Sequence, residues 1–119
     1  MREDIKAALV QAGVDVDGAL ERFMNNEALL ERFLKKFQGD PNYAALKTAL
    51  EEGDCDGAFR AAHTLKGVAA NLSMLDLQKR VSEQVERLRA GDLEGAAQMM
   101  PGVTETYEKV VEILRRWDG

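Results

Sequence analysis

From Pro41 to Trp117 the apolar side chains recur at helical spacing, in segments parted only by very short turns. In the first segment Leu46, Ala49 and Leu50 face inward, with Asp40 as N-cap, Pro41 at the first helical position and Gly53 as the stop. The second runs from its cap, Asp54, to about Leu72. Ser73-Met-Leu-Asp76 then has the form of a capping box, with Asp in place of the usual Glu. The third segment carries Leu77, Val81, Val85 and Leu88 and ends at Gly91. The fourth opens at Asp92 with Leu93, Ala96, Ala97 and Met100, followed by Val103, Tyr107, Val110, Val111, Leu114 and Trp117. Pro101-Gly102 is expected to kink that segment or divide it in two. Long helices joined by so little chain run antiparallel to their neighbours, so the pattern predicts an all-α, up-down four-helix bundle. No alternating strand pattern and no internal repeat competes with it.

The first 38 residues predict shorter helices that cap one end or side of the bundle. Residues 2–12 place Ile5, Ala8, Leu9 and Ala12 on one side, and Gly13 ends the run. After the turn Val14-Asp15-Val16-Asp17-Gly18, in which either aspartate can cap, Ala19, Leu20 and Phe23 carry a second helix as far as Asn25-Asn26. Leu29, Leu30, Phe33, Leu34 and Phe37 form a stripe from about 27 to 38. At 119 residues the chain fits one domain, with N-terminal helices over 1–38 and the bundle over 41–118.

Several kinds of chemistry fall away. A net charge of −5, with basic side chains scattered, argues against a nucleic-acid partner. No apolar run approaches the length of a membrane span, and the N-terminus lacks the apolar stretch of a signal peptide. The single cysteine, Cys55, allows no disulfide framework, and the expected setting is cytoplasmic. Two Asp-x-Asp-Gly stretches, Asp15–Gly18 and Asp54–Gly57, evoke calcium loops. In that frame their twelfth positions are Met24 and His63 instead of glutamate, so both read as helix starts. A di-metal bundle site needs Glu-x-x-His pairs, whereas Arg60 stands three before the only histidine. No Gly-rich phosphate loop is present, and Ser73 and Cys55 have no second histidine to act as base.

What remains is His63. On a helical wheel Ala62, Leu65, Ala69 and Leu72 lie roughly 180° to 260° round from it, which marks them as a core stripe. His63 therefore points outward, and its neighbours at i+3, i+4 and i+7 are Lys66, Gly67 and Ala70. Mid-helix glycine costs about 1 kcal/mol against alanine, so Gly67 needs a packing or functional reason. The reason read here is access for a second molecule. A neutral imidazole offers a nucleophilic nitrogen, Lys66 can neutralise phosphoryl oxygens, and phosphoryl transfer asks mainly for positioning and charge compensation. Phe59, at i−4, is the candidate apolar contact for a partner, together with Gly67 and Ala70.

The stretch Ala62-His63-Thr64-Leu65-Lys66-Gly67-Val68-Ala69-Ala70-Asn71-Leu72 closely resembles the signature of histidine phosphotransfer (HPt) domains, A-H-x-L-K-G-x-A/S-x-x-L-G. More loosely, Phe23, Asn26-Glu27 and Leu30, Phe33 and Phe37 resemble the N-terminal helices of stand-alone members, and Leu77 and Gly91-Asp92 also fit. The resemblance implies a four-helix bundle relaying phosphate between receiver-domain aspartates, with His63 as phosphoacceptor, Lys66 as stabilising cation and Gly67 as the close-approach position. It implies response-regulator receiver domains and a hybrid histidine kinase as partners, and magnesium on the receiver with no cofactor in this chain. It implies a carrier, with no ATP-binding or kinase machinery of its own. The family's glycine after the motif leucine is Ser73 here. Family members often place a polar side chain from the next helix near the phosphoryl group, and Gln84 is the candidate, although Val81 and Val85 set the inward face there. A monomer is expected, since no long a/d repeat demands dimerisation. Two alternatives stand beside this reading. One is a fragment of a chemotaxis-type histidine kinase, which requires an excised sequence; the other is a helical adaptor that binds receivers without transfer.

Overall fold

The computed structural model describes residues 1–118. Gly119, the last residue of the expected domain, lies outside the described residues. The described chain forms α1 (Glu3–Gln11), α2 (Val16–Arg22), α3 (Glu27–Lys36), a 3₁₀ turn (Phe37–Gly39), α4 (Asn42–Glu51), α5 (Cys55–Asn71), α6 (Leu75–Arg89) and α7 (Leu93–Asp118). Among the described residues there is no strand, only one isolated bridge between Val14 and Met74. The architecture is all-α, a bundle with short N-terminal helices.

Helix α5 lies between α4 and α6, and α6 packs on α7. The ring is lightly closed between α4 and α7, and aromatic side chains make that seam. Tyr43 stacks on Tyr107 with ring centroids 3.9 Å apart, while Phe37 meets Tyr107 edge-on at 5.7 Å. The Tyr43 hydroxyl also shares a hydrogen bond of 2.8 Å with Thr104 Oγ1. Helices α1 and α3 lie against α7, burying Ile5, Leu9, Leu30 and Leu34 in the same cluster as Leu46, Leu65, Val81 and Leu114.

Local signals set most boundaries. Asp15, Asn26, Asp54 and Asp92 each accept a hydrogen bond from the backbone N–H three residues on, as an N-cap should. Helix α4 starts at Asn42, one residue later than expected. Pro41 already has helical angles, and Asp40 Oδ1 accepts from Asn42 N at 2.9 Å. Helix α2 stops at Arg22, because Met24 and Asn25 both turn left-handed, at φ 56° and 60°.

Three further expectations are corrected, and one alternative is settled. Ser73 makes no capping box: the N-cap of α6 is Met74 with no side-chain bond, and Ser73 sits left-handed at φ 53°. Its carbonyl instead accepts from Asp15 N at 2.8 Å, and Asp76 N donates to Gly13 O at 3.3 Å, so the α1–α2 turn is laced to the α5–α6 turn. Phe33 leaves the stripe and is 39% exposed, its ring tilted against Phe23 with centroids 5.5 Å apart. Ala97 is exposed as well, with Ala96 taking the buried position. Of the two outcomes expected at Pro101, division does not occur: the last segment runs as one helix across it. Both Pro101 and Ala97, whose carbonyl the missing N–H would have served, are exposed, so that loss falls on the solvent side.

Candidate functional site

The site is built on α5. Ala58, Ala61, Ala62, Leu65 and Ala69, four of them alanines, are buried along it, and α4 and α6 pack against this helix. This fixes the rotation of the helix, and His63 emerges exposed on the opposite side. Thr64, next to it, returns its hydroxyl to Arg60 O at 3.0 Å and so makes no claim on the imidazole.

Around His63 the expected neighbours assemble with one exception. The Phe59 ring lies 5.8 Å from the imidazole, centroid to centroid, with 29° between the planes. Lys66 is half-buried one turn on, and among the described residues its ammonium has no ion-pair partner. Gly67 is exposed, and a Cβ built on it meets nothing within 4 Å. Ala70 is half-buried at the far end of the same face. Gln84 does not join them. It is 0% exposed, and its Nε2 donates to Ala96 O at 3.0 Å and lies 3.5 Å from Met100 Sδ. The amide faces α7, on the inward side with Val81 and Val85, and is withdrawn from the surface that carries His63.

Sequence reasoning missed Arg89. From the last turn of α6 its guanidinium carbon stands 5.2 Å from the centroid of Phe59, while its Nε donates to Glu86 Oε2 at 3.1 Å. No spacing signal announces this contact, since it depends on how α6 registers against α5. Beside the histidine face, towards the end of α5, Phe33, Phe37, Val68 and Leu72 help to line an apolar cleft of about 300 Å³.

Among the described residues no group of three or more His, Cys, Asp and Glu side chains is placed to hold a metal ion. Asp15 and Asp54, the calcium-like positions, are engaged as helix caps. Cys55 Sγ is 3.7 Å from Leu88 O. No described helix is long and apolar enough to cross a membrane.

Comparison with curated proteins and with solved structures returned no match. The family model for the Hpt domain, by contrast, matches residues 28–115, from the start of α3 to the last turns of α7. That span covers most of the chain and includes the helix that presents its only histidine, so the chain belongs to the Hpt domain family, whose role is histidine phosphotransfer in phosphorelays.

Proposed function

We propose that this chain carries a phosphoryl group on His63 and relays it between receiver-domain aspartates, taking it from a hybrid histidine kinase and passing it to a response regulator. The observation that carries the proposal is Gly67. Its backbone is helical and the space over it is empty, so neither conformation nor internal packing asks for glycine. A partner pressing on the helix one turn from the imidazole does ask for it.

In the forward step a ring nitrogen of His63 attacks the phosphorus of an aspartyl phosphate. The N–P bond forms as the P–O bond breaks, and its electron pair returns to the aspartate carboxylate. The reverse step on a second receiver regenerates the imidazole. Lys66 lies where its charge can offset the phosphoryl oxygens, Phe59 and Ala70 supply apolar contact, and the magnesium expected in the transfer belongs to the receiver. We place this activity in one domain over 1–119, with N-terminal helices over 1–38 and the bundle over 41–118, acting as a cytoplasmic monomer.

The test is transfer from a labelled phospho-receiver to the wild type and to His63→Gln. Acid-labile, alkali-stable label on the wild type alone is the expected result. Absence of label with a panel of receivers, or label retained by His63→Gln, overturns the proposal.

A further inference from the structure

We infer that Arg89 is a positioning residue for the imidazole of His63 and acts on it through Phe59. The inference rests on the reading of His63 as the phosphoryl carrier. Arg89, Phe59 and His63 form a chain of planar groups across two helices, with the guanidinium 5.2 Å from the Phe59 centroid and Phe59 5.8 Å from the imidazole. Glu86 anchors the far end, accepting from Arg89 Nε at 3.1 Å. Nothing in the core demands the arginine, whose side chain is 57% exposed.

An exposed histidine on a helix samples several ring orientations, and a half-buried phenylalanine one turn earlier restrains it only if that ring is itself held. Arg89 supplies the hold from α6. Its planar guanidinium suits an aromatic face in a way that a lysine ammonium does not. In-line transfer requires the attacking nitrogen close to phosphorus and aligned with the breaking bond, so narrowing the ring's range raises the productive fraction of encounters. The effect belongs to the transfer step, not to binding of the partner. Two other roles compete: a cation favouring the C-terminus of α6, which is a matter of stability alone, and a direct contact with the phosphoryl group or the partner.

The experiment compares wild type, Arg89→Met, Phe59→Leu and the double variant. Thermal unfolding establishes that each is folded. Nuclear Overhauser effects between the Phe59 and His63 rings report positioning in the wild type and Arg89→Met. Transfer from a receiver domain loaded with acetyl phosphate gives kcat and KM. Arg89→Met is expected to weaken the ring-to-ring effects and lower kcat about two- to fivefold, the worth of one exposed cation–π contact, with KM unchanged. Added to Phe59→Leu it should change nothing more, since a residue acting through another is silent once that residue is gone. Unchanged ring contacts overturn the inference, as does a loss confined to KM or to melting temperature. Effects of the two substitutions that multiply overturn it too, because Arg89 then acts on its own. The ring measurement needs no phosphoryl donor, so a chain that accepts no phosphate sinks the relay reading while the positioning of His63 is still decided.

Discussion

Gly67 and Lys66 stand side by side in sequence, yet their environments ask different things of a partner. At Gly67 the helix gives up about 1 kcal/mol of propensity where its own interior would accept a larger residue. Gly67→Arg should therefore leave far-ultraviolet dichroism and melting temperature near those of the wild type while abolishing transfer from a phospho-receiver. Transfer at the normal rate would remove the argument from access. Lys66 is half-buried and without an ion-pair partner among the described residues, so its charge is free to meet a phosphoryl group. A hydrogen bond to a charged group is worth about 1.5–3 kcal/mol, and Lys66→Ala should slow transfer by tenfold or somewhat more, on the order of the lower end of that range. His63 should still become labelled. A rate equal to wild type would mean that the partner supplies all the charge compensation.

At the scale of elements, three helices begin in the same way. Asp15, Asp54 and Asp92 cap α2, α5 and α7, and in each case the N–H that donates to the carboxylate belongs to a glycine: Gly18, Gly57 and Gly95. A Cβ on those glycines would lie 2.3, 2.3 and 2.2 Å from the other carboxylate oxygen, so the cap occupies the space a side chain would need. Gly57→Ala should accordingly destabilise by about 1 kcal/mol, the usual worth of an N-cap, despite alanine's better helix propensity. Urea unfolding of Gly57→Ala measures it, and a gain in stability would show that Asp54 can cap without that close fit. Two of these starts were legible as Asp-x-Asp-Gly, and so was the rotation of α5, because caps and apolar spacing are properties of one segment. Other features needed a second segment. Ser73 is fixed by hydrogen bonds between its turn and Gly13–Asp15, sixty residues away in the chain. Gln84 is buried with its Nε2 on the Ala96 carbonyl across the α6–α7 seam, while its Oε1 is buried without a partner among the described residues. Phe33 shares the spacing of Leu30 and Leu34, and only the assembled bundle shows it left at the surface with its ring tilted against Phe23. Arg89 likewise reaches the histidine face only through the register of two helices.

For the molecule as a whole, the point to test is how the bundle closes. Helices α4 and α7 touch lightly, and the stack of Tyr43 on Tyr107, edged by Phe37, fills the gap between them. Tyr107 is half-buried there, and burial first, then the charge of Asp40, raises its hydroxyl above the ordinary value of 10.0. The folded state thus holds the phenolic proton more tightly than the unfolded chain does. By linkage, the stability tied to that proton is fully present below about pH 10, where both states are protonated. It is lost as pH rises through the folded value, because the unfolded chain ionises first and is favoured by doing so. Tyr107→Phe keeps the ring in the stack and has no proton to lose. Every other titratable group is present in both proteins and drops out of the comparison. Melting temperatures of wild type and Tyr107→Phe, taken from pH 8.5 to 11.5, should differ by a constant amount up to about pH 10 and diverge above it, the wild type falling faster. Tyrosinate absorbance of the wild type less that of Tyr107→Phe should begin to rise only above about pH 10. Curves that stay parallel across the range would mean that the Tyr107 hydroxyl reaches water in the closed bundle.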